Sequence, residues 1–222
     1  MDQNQFLTLI SLLAPITLVF GIIVGFYNFK RLDVSIRFLF FYLVLCLAVD
    51  LLYRYFGYYS HLKYNLFIIP IFAFFEFAIF SGLYYKHILK SRSNTFILFV
   101  AAALLCIFIE LLFVNRLLHQ KSFQSYGKVI GDAAIVFYCL LYYWKLFNGS
   151  IPIVTEHRYL NVAVLIYFSI NLILFLPINF LVNASISIVF LFWVLNLVSV
   201  ILFYLVLIYL IWRNGKTREC LL

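Results

Sequence analysis

Charge is scarce in this sequence. Only 11% of its 222 residues are Asp, Glu, Lys or Arg, while 67% are apolar; a soluble domain has about a quarter and about half. Such a chain cannot cover its outside with polar groups, so its expected solvent is lipid. Long polar segments are missing too. The longest, Arg116 to Lys128, runs about a dozen residues, too few to enclose a core, which excludes a soluble domain. Acids are scarcer than bases, with eight Asp and Glu against sixteen Lys and Arg. Even so, a nucleic-acid partner is excluded. The bases are scattered at the ends of apolar runs, where membrane topology requires them. Cysteine is limited to Cys46, Cys106, Cys139 and Cys220, with no metal or redox spacing. The histidines His61, His87, His119 and His157 form no H-E-x-x-H pattern, which disfavours a metalloprotease. There is no G-x-S-x-G, no Gly-rich phosphate loop, and no lysine in the last apolar run that would carry a retinal Schiff base. No cofactor and no metal are expected.

What is present is apolar and aromatic. The clearest run lies between Lys63 and Lys90, with tyrosines Tyr64 and Tyr85 at its margins. At about 1.5 Å per residue it crosses the roughly 30 Å hydrocarbon core. Six further runs complete an all-α, seven-helix transmembrane domain over residues 1–222, with helices about 6–27, 36–56, 64–85, 94–114, 126–147, 159–180 and 185–212. The leading segment MDQNQ has no base, so the first helix is not expected to be a cleaved signal. Pro15 in that helix and Asn171 and Pro177 in the sixth are expected to bend or interrupt them. The cluster Glu156-His157-Arg158 is assigned to the connection before helix 6, and Arg213 onward to a short basic tail.

Orientation follows from the bases. Eleven of the sixteen Lys and Arg lie in connections 1–2, 3–4 and 5–6 and in the tail: Lys30, Arg31, Arg37, Lys86, Lys90, Arg92, Lys145, Arg158, Arg213, Lys216 and Arg218. The positive-inside rule places the N-terminus outside and the C-terminus in the cytoplasm, and the expected location is a bacterial inner membrane. GFYN at 25–28, LYYK at 83–86 and LYYW at 141–144 recur at a fixed interval; they read first as an interfacial tyrosine belt followed by positive charge, with a duplicated two-helix hairpin as the alternative.

Chemistry is sought in the intramembrane polar residues. Glu76 lies near the bilayer midplane, where a carboxylate costs at least about 2.5 kcal/mol. It has no base three or four positions away, so it is either protonated or paired with another helix. Asp50, Glu110 and Asp132 lie in the outer halves of their helices, and Asn171 and Asn196 near the middle. Asp50–Arg54 and Lys128–Asp132, each four apart, read as local ion pairs at a wet interface. Glu110 reads as reaching outer headgroups, and the two asparagines as interhelical hydrogen bonds or ligands. The inner halves hold almost no ionisable group. Together these residues predict an outward-facing polar pocket, a ligand or proton site built from Glu76, Asp50, Arg54, Glu110, Asp132, Asn171 and Asn196.

The stretches YNLFIIPIFAFFEF, with Asn65 and Glu76 eleven apart, and FLFWVLNLVSVILFY resemble small seven-span bacterial membrane proteins. They are also similar to the membrane halves of some sensor histidine kinases. The resemblance implies a sensory or regulatory module and not a catalyst. No kinase or output domain follows Arg213 in this sequence, so any signal is expected to pass to a separate signalling or transport protein at the cytoplasmic face. Two other readings stay open: a small proton-linked transporter working through Glu76, and a lipid-modifying intramembrane enzyme using paired carboxylates.

Overall fold

Each apolar run becomes a helix in the computed structural model, which describes residues 3–58, 68–90, 93–112, 126–181 and 186–219. The helices are α1 (Gln3–Asn28), α2 (Val34–Tyr58), α3 (Ile68–Leu83), α4 (Asn94–Leu112), α5 (Tyr126–Phe147), α6 (Thr155–Leu181) and α7 (Ile186–Glu219). All seven contain a span long and apolar enough to cross a membrane, and there is no strand among the described residues. This is the architecture of a multi-pass membrane protein. Asn65, His61, His119, Arg116 and Lys121 lie outside the described residues.

Local chemistry sets the helix ends. Asp33 precedes α2, and its carbonyl accepts from Ile36 and Arg37 at 3.0 and 2.9 Å. α5 stops at Asn148-Gly149: the Gly149 amide returns to Leu146 at 3.1 Å and the Ser150 amide to Lys145 at 2.9 Å. That closure needs a left-handed residue, which glycine supplies at φ 65°. α3 ends in a wider π turn, Tyr84–Ile88, with the Leu89 amide reaching back to Tyr84 at 2.8 Å.

Three sequence expectations change here. Glu156, His157 and Arg158 belong to the first turn of α6, which starts at Thr155, because Pro152 sits three residues before it and not inside it. α6 then runs uninterrupted through Asn171 and Pro177 to Leu181. α7 continues past Trp212 to Glu219, so the expected tail is largely helix.

Successive helices are neighbours, and α7 packs back on α1 to close the ring; α2 also meets α7, and α3 also meets α5. The bundle is apolar outside, and its largely apolar interior also encloses a few polar side chains, Glu76, Lys128, Asp132, Asn161 and Asn171 among them. On α5, Tyr126, Ile130, Phe137, Leu140 and Trp144 are exposed, while Lys128, Asp132, Ile135, Tyr138 and Tyr142 are buried. Exposed apolar surface of that extent suits a lipid solvent, where tight packing and hydrogen bonds rather than hydrophobic burial hold helices together. The tyrosine belt needs correction as well: Tyr27 is exposed, but Tyr84 and Tyr142 are core residues, because their helices turn those positions towards the bundle axis.

The two ends of the bundle differ. α1, α3, α5 and α7 finish at a basic end that carries Lys30, Arg31, Lys86, Lys90, Lys145, Arg213 and Lys216. The opposite end is formed by the last turns of α2, α4 and α6 and the first turns of α3, α5 and α7.

Candidate functional site

A single lysine joins two helices inside the bundle. The Lys128 ammonium on α5 donates to Glu76 Oε2 on α3 at 2.5 Å and to Asp132 Oδ1, one turn along α5, at 2.7 Å. All three side chains are buried. The Tyr42 hydroxyl of α2 donates to the other Glu76 oxygen at 2.7 Å. The ammonium also faces the rings of Phe168, Phe72 and Phe175 at 5.4, 5.7 and 6.0 Å, a cation–π setting. Asp132 Oδ2 is buried and has no hydrogen-bond partner.

Helical spacing builds this arrangement. Lys128 and Asp132 lie four apart, so one face of α5 carries both. Glu76 stands between buried Ala73 and Phe80 on the enclosed face of α3. With both acids ionised and the lysine protonated, the trio carries one net negative charge. Isolating such a charge from water is expensive, and one proton on either carboxylate makes the trio neutral. Among the described residues, the buried ionisable groups around the trio include Tyr42 and Cys46 of α2, Tyr167 of α6 and Tyr204 of α7. The Lys128–Asp132 pair, expected as a local pair at a wet interface, is therefore a buried three-residue bridge between helices. The expectation missed the rotation of α5, which turns this face inward.

In front of Lys128 lies a cavity of about 200 Å³ in the half of the bundle opposite the basic end. Its polar lining includes Lys128, Asn171, Asn196 and Asp50, and its aromatic lining includes Trp193 and Tyr167. Glu76 itself does not line the cavity; it stands behind Lys128. The asparagines bond each other across α6 and α7, Asn196 Nδ2 donating to Asn171 Oδ1 at 3.2 Å. Arg54 holds Asp50 at 2.7 Å and also donates to the Ser11 carbonyl of α1 at 2.6 Å. Glu110 lies apart from this group. Its carboxylate accepts from the Gly127 amide at the start of α5, a favourable place for negative charge. It is therefore a cap supplied from α4, where the sequence suggested a contact with headgroups.

Several lining residues were not singled out in the sequence. Tyr167 and Phe175 flank Asn171 at four-residue intervals; Trp193 lies three residues before Asn196, and Val200 and Tyr204 lie four and eight after it. Counting helical turns outward from the two asparagines would have found them.

Beyond the trio, towards the basic end, the interior closes. Phe80 packs against Tyr42 and Phe168 with ring centroids 5.0 Å apart in each case, and Phe203 stacks on Tyr167 at 4.0 Å. Further on, the Tyr84 hydroxyl donates to Asn161 Oδ1 at 2.7 Å, and Asn161 Nδ2 donates to the Cys139 carbonyl at 3.3 Å. This uncharged network joins α3, α5 and α6. Among the described residues, no group of three or more His, Cys, Asp or Glu is placed to hold a metal ion. Compared with protein-family models, curated proteins and solved structures, the chain matches none of them.

Proposed function

We propose that this chain is a non-enzymatic membrane sensor or accessory subunit, with the Glu76–Lys128–Asp132 bridge as its responsive element. The observation that carries this reading is a buried lysine divided between two acids of different helices, at the floor of a one-sided cavity. A proton, or a ligand reaching Lys128 through the cavity, changes how the ammonium is shared. The contact between α3 and α5 changes with it. Positive charge at the other end favours a cytoplasmic placement of the C-terminus and an outward-facing cavity, in a bacterial inner membrane. The basic end is then the surface that passes the change to a separate signalling or transport protein, as the resemblance to histidine-kinase sensor halves implies. The aromatic closure around Phe80 favours a receptor over the proton-linked transporter, which needs a path to the other side.

Trp193 lines the cavity and reports on it. In a Trp144→Phe/Trp212→Phe background, reconstituted protein is taken from neutral to mildly acidic pH and its emission followed. The expected result is a reversible emission change in the wild-type bridge that is absent in Glu76→Gln and in Asp132→Asn, whose bridges are already neutral. An unchanged pH response in both variants, with normal folding, removes the bridge from the mechanism.

A further inference from the structure

A second cavity lies on the lipid-facing side of the bundle, at the basic end, far along the helices from the charged bridge. It is a groove of about 440 Å³ between α1 and α7, lined by Ile23, Val24, Tyr27 and Asn28 from one helix and Trp212 and Lys216 from the other. It lies beside one of the close approaches of these two helices, which also meet at Gly21 and Ile208. Beside the groove the Asn28 side chain lies directly against Gly215, where a Cβ would collide with it, while Tyr27 and Trp212 project past the contact and are exposed. The polarity of the groove is graded along the helix axes. Ile23 and Val24 form its deep, apolar end; one turn on come the Tyr27 phenol and the Trp212 indole; and the Lys216 ammonium, over the Trp212 ring at 5.4 Å, closes the basic end. The turn carrying Lys30 and Arg31 packs against α7 nearby; none of the described residues lining the groove is acidic, and the neighbouring acids Asp33 and Glu156 are held by Asn214.

We propose that this groove binds one anionic phospholipid. The order apolar wall, aromatic hydrogen-bonding belt, cation matches the order acyl chain, glycerol region, phosphate along a phospholipid. The surplus of positive charge selects an anionic headgroup over a zwitterionic one. An acidic protein segment would match the lysine but not the apolar wall that continues into the hydrocarbon. This inference stands independently of the sensor reading, since no residue of the bridge takes part.

The test uses the full chain with Trp144→Phe and Trp193→Phe, so that Trp212 is the only indole. The probes are brominated-chain phosphatidylglycerol, brominated-chain phosphatidylcholine and inorganic phosphate. Phosphatidylglycerol is expected to quench Trp212 at about fivefold lower lipid fraction than phosphatidylcholine, the contribution of one lysine near an anionic lipid. Lys216→Gln is expected to abolish that preference, and Tyr27→Phe, exposed and conservative, to reduce it. Inorganic phosphate should not compete. Equal quenching by both lipids, or a preference retained in Lys216→Gln, overturns the proposal and leaves the groove to a protein partner. Competition by inorganic phosphate overturns it in favour of a site for the free ion.

Discussion

Lys128 is the residue whose surroundings are most tightly specified. Its charge is compensated by two carboxylates and three ring faces, so its removal leaves two acids facing each other away from water. Breaking a buried ion pair from one side costs about 3–5 kcal/mol, and Lys128→Met should lose that much on unfolding in micelles. Tyr42→Phe removes only the phenolic donor to Glu76. A hydrogen bond to a charged group contributes about 1.5–3 kcal/mol, so the variant should fold and show a smaller loss. Equal losses in the two variants would mean that Lys128 is not the centre of the bridge. Glu76 stood out in the sequence because a carboxylate near the middle of an apolar run has few explanations. Its partner did not, because Lys128 lies 52 positions away and has its own acid one turn on, so a local pairing already accounted for it. The role of Glu110 is hidden from the sequence for a similar reason. The group it caps is a backbone amide at the start of another helix, and no side-chain pattern announces a backbone amide.

At the scale of elements, the seven helices and their order were legible from hydropathy, since each apolar run matches the thickness of the hydrocarbon. Rotation was not. In lipid the outward face of a helix is as apolar as much of the inward one, so periodicity carries little signal about which residues meet. Tyr84 and Tyr142 show the effect, reading as interfacial residues while lying in the core. The ends of α6 and α7 were displaced for another reason: charged residues such as Glu156 and Arg213 were assigned to connections, yet a helix emerging from the bilayer carries them readily. The α1–α7 contact gives a prediction at this scale. Gly215 sits where a side chain would strike Asn28, including its Cβ, and overpacking of that kind costs about 1–3 kcal/mol. Gly215→Ala should therefore lower unfolding stability by that amount. Thermal unfolding in micelles checks it, and an unchanged midpoint would mean that the helices are not this close.

At the scale of the whole molecule, the chain is a ring of helices divided into two unlike halves. One half holds a cavity, the two asparagines and the charged bridge. The other is filled by aromatic rings and the neutral Tyr84–Asn161–Cys139 network and ends in basic residues. As the proposed sensor, the molecule uses both halves, a stimulus met in the first and passed on at the basic end of the second. Everything in that description depends on α3 and α5 being joined by their charges. The most direct measurement is a double-mutant cycle on unfolding stability with Glu76→Gln, Lys128→Met and the pair together. The expected result is a double variant better than the sum of the single losses by about 2–3 kcal/mol, the coupling of residues in direct contact. Losses that add within about 0.5 kcal/mol, as they do for distant sites, would contradict it.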